Sequence, residues 1–268
     1  MTPILSFDLE TVPDVAGLRR LRPDWAALGE REVAAQAFAE RRERTGGASD
    51  FLPLHQHRII AIGCAFRDDS GFRVRCLGAA GDNEARLIHD FFRTIDRHTP
   101  QLVSWNGGGF DLPVLHYRGM VHGAVAARYW ENGDDDRDFR YNNYTSRYHS
   151  RHTDLMDVLA MYQGRAAAPL DELARLCGFA GKLGMAGDQV WGAFCEGRIE
   201  DIRNYCETDV VNTYLLYCRY QLMRGRLSAP AYEQELRLVR ETLEAAGAPH
   251  WREFLAAWPE GAGAQGAS

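Results

Sequence analysis

The chain has 268 residues, 46% of them apolar, and carries 31 Lys and Arg residues against 37 Asp and Glu residues, for a formal net charge of −6. This composition excludes an intrinsically disordered chain, a collagen-like repeat and a disulfide-rich framework. No segment approaches the ~20 apolar residues that span a membrane. Because the acidic N-terminus lacks the basic region of a secretory signal, we expect a cytoplasmic protein.

The six cysteines are scattered and form no CxxC pair, which favours reduced, mostly buried thiols over a zinc ribbon or a redox motif. The net acidic balance disfavours a broad basic surface of the kind that binds nucleic acid without sequence preference. It leaves open a local nucleic-acid site that metal ions organise.

Runs of β-forming residues predict four strands, at residues 3–9, 58–66, 72–77 and 101–105. The second and third of these strands are separated by a short polar turn that ends in Gly71, where a positive φ is tolerated. They are therefore predicted to pair as a hairpin.

Helical patterns occupy much of the remaining chain. We predict helices over residues 15–44, 83–98, 112–121, 155–162, 170–177, 199–223 and 231–246. Residues 128–152 are polar, aromatic and charged without periodicity, so we predict a loop there. The order of elements predicts an α/β fold with a central mixed β-sheet flanked by α-helices.

The same pattern suggests how the chain is divided. We expect one main domain over residues 1–225, interrupted by a helical insert at about 12–50 and a loop insert at about 128–152. A C-terminal helical extension is expected at 226–258. The Gly- and Ala-rich residues 259–268 are expected to form a disordered tail.

The first strand carries a pair of acidic residues. Asp8 and Glu10 lie two positions apart, so their carboxylates project from one face of the strand, about 6 to 7 Å apart along the chain. Ile4, Leu5 and Phe7 make this a central strand, where two acids would repel each other unless a cation lies between them. The pair predicts a divalent-metal site, against the alternative of a solvated strand face.

A third acid follows the strand at 101–105. Asp111 comes after a run of three glycines and directly before Leu112 and Pro113, which begin a predicted helix. Taken alone, Asp111 is better explained as the N-cap of that helix. The same position also brings a carboxylate to the C-terminal edge of the sheet, where α/β proteins build their sites.

The long helix at 199–223 carries a fourth acid. Tyr205 and Asp209 are stacked one turn apart on the flank of the helix. The buried stripe is predicted to consist of Ile199, Ile202, Cys206, Val210, Tyr214 and Tyr217. A single Tyr-x-x-x-Asp pair indicates only packing, so its meaning depends on the other acids.

Three segments together resemble the motifs of the DEDD 3′-5′ exonucleases. They are FDLET at 7–11, WNGGGFDLPVL at 105–115 and YCETD at 205–209. All three occur in the expected order and on the expected strand, strand edge and helix.

The resemblance is to the tyrosine subgroup of this family, which includes the proofreading domains of family B DNA polymerases. It is carried by the spacing from Asn106 to Phe110 and by Tyr205, four residues before Asp209; the histidine subgroup would have His where Asn204 stands. Three further segments are similar to a stand-alone bacterial family of predicted polymerase-B-like 3′-5′ exonucleases. They are HRIIAIG at 57–63, HTDL at 152–155 and GKLGMAGDQVW, which ends at Trp191.

The resemblance implies a ribonuclease H-like fold and hydrolysis of phosphodiester bonds with two divalent ions, Mg²⁺ or Mn²⁺ rather than Zn²⁺. It implies that Asp8, Glu10 and Asp209 hold one ion, while Asp8 bridges to the second ion and Asp111 supports it. Tyr205, as a phenol with an ordinary pKa of about 10, would orient the attacking water.

Nucleic acid is the implied partner, with single-stranded DNA favoured, and repair is suggested only by family analogy. Asn106, Phe110 and Lys182 are candidate substrate contacts. The loop at 128–152 interleaves aromatic residues with arginines, which could stack on bases and meet phosphates, or could form a flap that packs on the domain. Its candidate phosphate contacts are Arg137, Arg140 and Arg147.

Two other functions stay open. A catalytically silent nucleic-acid-binding module of the same fold would be expected to lack one of the four carboxylates. A ribonuclease H-like endonuclease is the second alternative, and Tyr205, one turn before Asp209, argues against it.

Two minor hypotheses concern other polar residues. Asp154 is predicted to cap the helix that begins at Leu155, with a supporting role near the metal ions as the alternative. A zinc site made from histidines is a weaker hypothesis, because both pairs lie in predicted loops. The histidines concerned are His55, His57, His149 and His152.

Overall fold

The computed structural model describes residues 2–259 and residue 261. The predicted disordered tail lies, apart from residues 259 and 261, outside the described residues. Within the part of the chain that is described, no helix is both long and apolar enough to cross a membrane. The cysteines are all free thiols, and four of the six are buried.

A five-stranded mixed sheet forms the centre of the molecule. Its strands are β1 (Ile4–Pro13), β2 (His57–Asp68), β3 (Gly71–Cys76), β4 (Gln101–Ser104) and β5 (His152–Asp154). They lie in the order β3-β2-β1-β4-β5. β2 pairs antiparallel with β1 and β3, whereas β4 runs parallel to both β1 and β5. The predicted mixed sheet is confirmed, with β5 as an additional short edge strand.

Helices cover both faces of this sheet. They are α1 (Val15–Leu21), α2 (Glu30–Arg44), α3 (Glu84–His98), α4 (Asp111–His122), α5 (Ala127–Trp130), α6 (Leu155–Leu159), α7 (Leu170–Leu176), α8 (Val190–Cys195), α9 (Ile199–Met223), α10 (Ala229–Ala246) and α11 (Pro249–Ala257). The predicted architecture, a mixed sheet flanked by helices, is confirmed.

Three local predictions were wrong. The single helix predicted at 15–44 is interrupted after Leu21, because Pro23 has no N–H to continue it and begins a short 3₁₀ turn. The helix predicted at 155–162 ends at Leu159, since Met161 and Tyr162 adopt positive φ values of 51° and 59°. Helices α5, α8 and α11 were not predicted, because their patterns are short.

The two faces of β1 have different surroundings. Leu5, Phe7 and Leu9 belong to an apolar cluster with residues of α3 and α4. Because side chains alternate along a strand, Asp8 and Glu10 project from the opposite face, which packs against α9. The predicted separation of apolar and acidic residues on this strand therefore agrees with the structure.

The central helix α9 is buried over most of its circumference. The sheet covers one side, and α7, α8, α10 and α11 pack on the others. Tyr205 and Asp209, which were predicted on the flank of the helix, are only 4% and 2% exposed. The periodicity left this flank open, but Tyr205 packs against Val190 and Ala193 of α8, and Lys182 contacts both Tyr205 and Asp209.

Gly63 lets α9 lie close to the sheet. It is paired with Asp8 across β1 and β2. A Cβ atom at this position would lie 2.8 Å from the Cys206 sulfur and 2.9 Å from its carbonyl oxygen, so a larger residue would push the helix away. This close approach brings the acidic residue of α9 within range of those on β1.

A buried ion network joins β1, α3 and α4. The Arg118 guanidinium on α4 forms ion pairs with Glu84 on α3 and with Asp14, which directly follows β1. Glu84 also accepts hydrogen bonds from the Ile59 amide at 2.7 Å and pairs with His122 at 2.7 Å. The network fixes the position of α4 relative to β1, and therefore the position of Asp111, which begins α4.

Candidate active site

Four carboxylates from three elements line one cleft. Asp8 and Glu10 come from β1, Asp111 begins α4, and Asp209 comes from α9. The cleft has a volume of about 620 Å³ and also includes Tyr205 among its walls. Asp8 and Asp209, which are more than 200 positions apart in the chain, thus line the same cleft.

The acidic pair of β1 lies against a thiol. Ligand atoms of Asp8, Glu10 and Cys206 all lie within 4.8 Å of one another. The Cys206 sulfur is 3.7 Å from an Asp8 carboxylate oxygen and accepts the Gly63 amide at 3.2 Å. The sequence predicted Cys206 only as part of the apolar stripe of the helix. Helical spacing alone does not distinguish a buried core residue from a buried residue that contacts the acidic pair.

Asp111 is held toward β1. Its carboxylate accepts a hydrogen bond from the Leu9 amide at 2.8 Å, between the two acidic positions of the strand. The helix N-cap is Phe110, and no side chain caps the helix. The interpretation of Asp111 as an N-cap was therefore wrong, because the side chain points to the strand rather than to its own helix.

Lys182 lies inside the acidic cluster. Its ammonium group is 2.6 Å from Asp209 Oδ2 and donates to the Tyr205 hydroxyl at 2.5 Å. The other Asp209 oxygen, Oδ1, is buried and has no hydrogen-bond partner among the described residues. Lys182 was predicted as a substrate contact, whereas the structure places it on two other predicted site residues.

Burial dominates the electrostatics of the site. It raises the pKa values of Asp8 and Glu10 well above their usual range, and the neighbouring carboxylates raise them further. Burial also raises the pKa of Asp111 to about 7, although the Leu9 amide works in the opposite direction. The pKa of Asp209 is raised by burial, despite the opposing effect of Lys182. Keeping all four carboxylates ionised therefore requires more positive charge than the Lys182 ammonium group supplies.

The donor set fits a divalent cation. Carboxylate oxygens are the ligands that Mg²⁺ and Mn²⁺ prefer, and within the described part of the chain no group donates a hydrogen bond to Asp209 Oδ1. Burial raises the pKa of the Tyr205 hydroxyl, so this group is a neutral hydrogen-bonding group at neutral pH.

The loop before Asp111 is shaped by Asp154. Its carboxylate accepts the Asn106 amide at 2.9 Å and the Gly108 amide at 2.8 Å, and it also caps α6 as predicted. Asn106 adopts a positive φ of 65° at this turn. Asn106 and Phe110, both predicted substrate contacts, line the cleft.

The predicted arginine contacts lie elsewhere. All three are exposed, and none is among the residues that line the cleft; they are Arg137, Arg140 and Arg147. Three aromatic residues of the same loop are buried in the domain core, namely Tyr129, Phe139 and Tyr144. This part of the loop packs on the domain, while Tyr141 and Tyr148 stay about four-fifths exposed.

The histidines predicted as a zinc site have other partners. His57 bonds to Thr11 and to the Leu52 carbonyl, and His152 bonds to Ser104. Among residues 2–259 and 261, no three-residue group suited to a metal ion contains a histidine. The zinc hypothesis was wrong because the folded chain does not gather these rings.

The mixed five-stranded sheet flanked by helices is a ribonuclease H-like exonuclease fold. The model of one family, described as a predicted 3′-5′ exonuclease related to the exonuclease domain of PolB, matches residues 49–258. The match spans more than half of the chain, and the protein belongs to this family. No curated protein matches the chain.

The matched region begins after β1. It includes Asp111, Lys182, Tyr205 and Asp209, whereas Asp8 and Glu10 lie before it. The family match therefore does not cover the two carboxylates of β1, and only the structure places them in the cleft. Residues of α1 and α2 also lie outside the matched range.

Proposed function

We propose that this protein is a metal-dependent 3′-5′ exonuclease that releases nucleotides from the 3′ end of nucleic acid, with single-stranded DNA favoured. The convergence of Asp8, Glu10, Asp111 and Asp209 on one cleft carries this proposal. The family assignment supports the direction of hydrolysis. A cytoplasmic location is proposed as well, and the free thiols agree with it.

The acidic residues would hold two divalent ions, Mg²⁺ or Mn²⁺. Asp8, Glu10 and Asp209 would hold one, and Asp8 and Asp111 the other. Two such ions, when bound, supply a nucleophilic water, neutralise the phosphate and stabilise the leaving 3′ oxygen. Asp111 is already oriented by the Leu9 amide, so little rearrangement of this carboxylate is needed.

Two other side chains act beside the carboxylates. Tyr205 stays neutral and can orient the attacking water by a hydrogen bond from its hydroxyl. Lys182, whose pKa burial would lower but the Asp209 carboxylate raises, keeps its positive charge next to that carboxylate. It can also donate to an oxygen of the scissile phosphate.

Metal removal tests the proposal directly. Single strands of DNA and RNA, labelled at the 5′ or the 3′ end, are incubated with Mg²⁺, Mn²⁺ or EDTA. We expect immediate release of the 3′ label and stepwise shortening of the 5′-labelled strand, because an exonuclease acts only at the terminus. EDTA should abolish both, since the carboxylates alone activate no water.

The same assay separates the alternatives. Internal fragments as first products would identify an endonuclease. A strand that the protein binds but does not cleave with either metal ion would identify a catalytically silent binding module. Full activity in EDTA would exclude the two-metal mechanism.

Tyr205→Phe removes only the hydroxyl. We expect the chemical step to slow by roughly 10- to 1000-fold, the range of a positioned catalytic group, with little change in metal affinity. Single-turnover rates and Mn²⁺ titrations measure the two quantities separately. Tyr214→Phe is a matched control, because this buried tyrosine of the same helix bonds to Glu235 and does not line the cleft. An unchanged single-turnover rate in Tyr205→Phe would assign Tyr205 to packing alone.

A further inference from the structure

The cleft has an aromatic wall beside its acidic residues. The described residues that line it include the rings of Phe38, Phe51, Trp105, Phe110 and Trp191. Such a wall next to a carboxylate cluster is unusual for a surface that meets only phosphates, because aromatic faces attract bases rather than anions. The mechanism proposed above uses none of these rings.

Two of the rings come from the segment that follows β1. Phe38 belongs to α2, which lies outside the matched family range, and Phe51 lies on the connection from α2 to β2. The Phe51 ring centroid is 5.8 Å from that of Phe110 and 5.0 Å from that of His57. Phe110 directly precedes Asp111, so this aromatic pair borders the acidic cluster.

Phe51 is exposed on a fixed backbone. Its side chain is 52% exposed, whereas the next residue, Leu52, is only 3% exposed and anchors the segment in the core. The Phe51 carbonyl accepts from Arg41 at 2.9 Å, and its amide donates to Ser49 at 3.1 Å. A large apolar ring that lines the cleft is thus about half exposed to solvent.

The charge of the cleft points to the kind of ligand that this ring meets. Six acidic residues are among the described residues that line it: Asp8, Glu10, Asp50, Asp111, Asp188 and Asp209. Lys182 is the one Lys or Arg residue among them, and Asp209 and Tyr205 already engage it. Bound ions and Lys182 would meet the scissile phosphate, but the cleft walls offer little attraction for the other phosphates of a strand. Contacts to the bases would supply the rest of the binding.

We propose that Phe51, beside Phe110, forms a stacking platform for unpaired bases at a 3′ terminus and so strengthens the binding of single-stranded ends. The inference rests on the proposed exonuclease function. Aromatic faces stack on every base, so the platform tolerates any sequence. A paired terminal base must first leave its own stack, which disfavours a duplex end.

Binding by a 5′-fluorescein-labelled (dT)₁₂ strand tests the platform. The strand carries a 3′-terminal phosphorothioate linkage that slows hydrolysis, and a second version lacks the bases of its last two nucleotides. Anisotropy is measured with the full chain and Mg²⁺. For Phe51→Ala we expect about 10-fold weaker binding of the intact strand, within the range of one lost base–aromatic stack. Both proteins should bind the version without terminal bases equally weakly.

Three comparisons separate stacking from general damage. Phe51→Tyr keeps an aromatic face and should restore affinity to within about twofold of the wild type. Tyr117→Ala removes an aromatic residue of α4 that is 45% exposed, close to the exposure of Phe51, and does not line the cleft, so it should change nothing. In hydrolysis assays Phe51→Ala should raise KM while kcat changes less than about twofold, because the ring is not one of the reacting groups.

Equal binding of the intact strand by wild type and Phe51→Ala would overturn the platform, while continued 3′ hydrolysis by both would leave the exonuclease function standing. Equal loss of affinity for both versions of the strand would also overturn it, because the effect would not depend on terminal bases. If the wild type released no 3′ label in any metal, the proposed function would fall. The anisotropy comparison would still decide whether Phe51 stacks on bases.

Discussion

Asp209→Asn should abolish nucleotide release, with a fall in kcat of at least about 1000-fold, because several kcal/mol of transition-state stabilisation depend on a complete ligand set. Asn has nearly the same shape but no negative charge. Asp209 is the acid that α9 contributes to the cluster, and no residue that the structure describes donates a hydrogen bond to its Oδ1. Asp8→Ala should have the same effect, because Asp8 would contact both ions.

The fold should survive Asp209→Asn. Burial already disfavours the ionised carboxylate at this position, so removing its charge does not add a desolvation penalty. Circular dichroism and thermal unfolding of the purified variant check this. Asp188→Asn is the matched control, since Asp188 lines the same cleft but is exposed and lies outside the cluster. Near wild-type activity of Asp209→Asn would show that the site assignment is wrong.

Arg118→Met should lower the free energy of unfolding by about 3 to 5 kcal/mol, the cost of breaking a buried ion pair from one side. Arg118 is only 3% exposed and is shared between Glu84 and Asp14. Met has a similar length but no charge. The carboxylates of Glu84 and Asp14 would therefore stay buried without the Arg118 guanidinium. Urea unfolding followed by tryptophan fluorescence measures the loss.

An exposed ion pair provides the comparison for Arg118. Arg147 is 53% exposed at its side chain and lies 3.5 Å from Asp157, so Arg147→Met should cost less than about 1 kcal/mol. If Arg118→Met also lowered the free energy of unfolding by less than about 1 kcal/mol, the network would contribute little net stability. Refolded Arg118→Met protein should also hydrolyse more slowly, because the network holds α4 and β1 together at the site.

The local features of the candidate site could be predicted from the sequence. Alternation along β1 puts Asp8 and Glu10 on one face, and helical spacing puts Tyr205 and Asp209 one turn apart. Each of these patterns spans only a few residues, so it depends on backbone geometry that the residues themselves determine. The three motifs and the family resemblance follow from the same short segments.

Contacts between distant segments could not be predicted in this way. Lys182 lies in a Gly-rich connection without periodicity, so nothing local indicates that its ammonium group meets Asp209. Cys206 was assigned to the core because a buried stripe does not reveal which buried atoms face a site. The loop at 128–152 looked uniform, but the fold buries Tyr129 and leaves Tyr141 exposed.

What the sequence by itself determined was the type and order of most of the elements and the residues that they present, including all four carboxylates. The tertiary structure alone decided how they meet: Gly63 lets α9 approach β1, and the Leu9 amide turns Asp111 away from its own helix. Phe51 likewise reaches the cleft only through the packing of its segment on Phe110. The physical reason is that periodicity reports the geometry of neighbouring residues, whereas contacts across the chain depend on which surfaces pack together when the whole core forms.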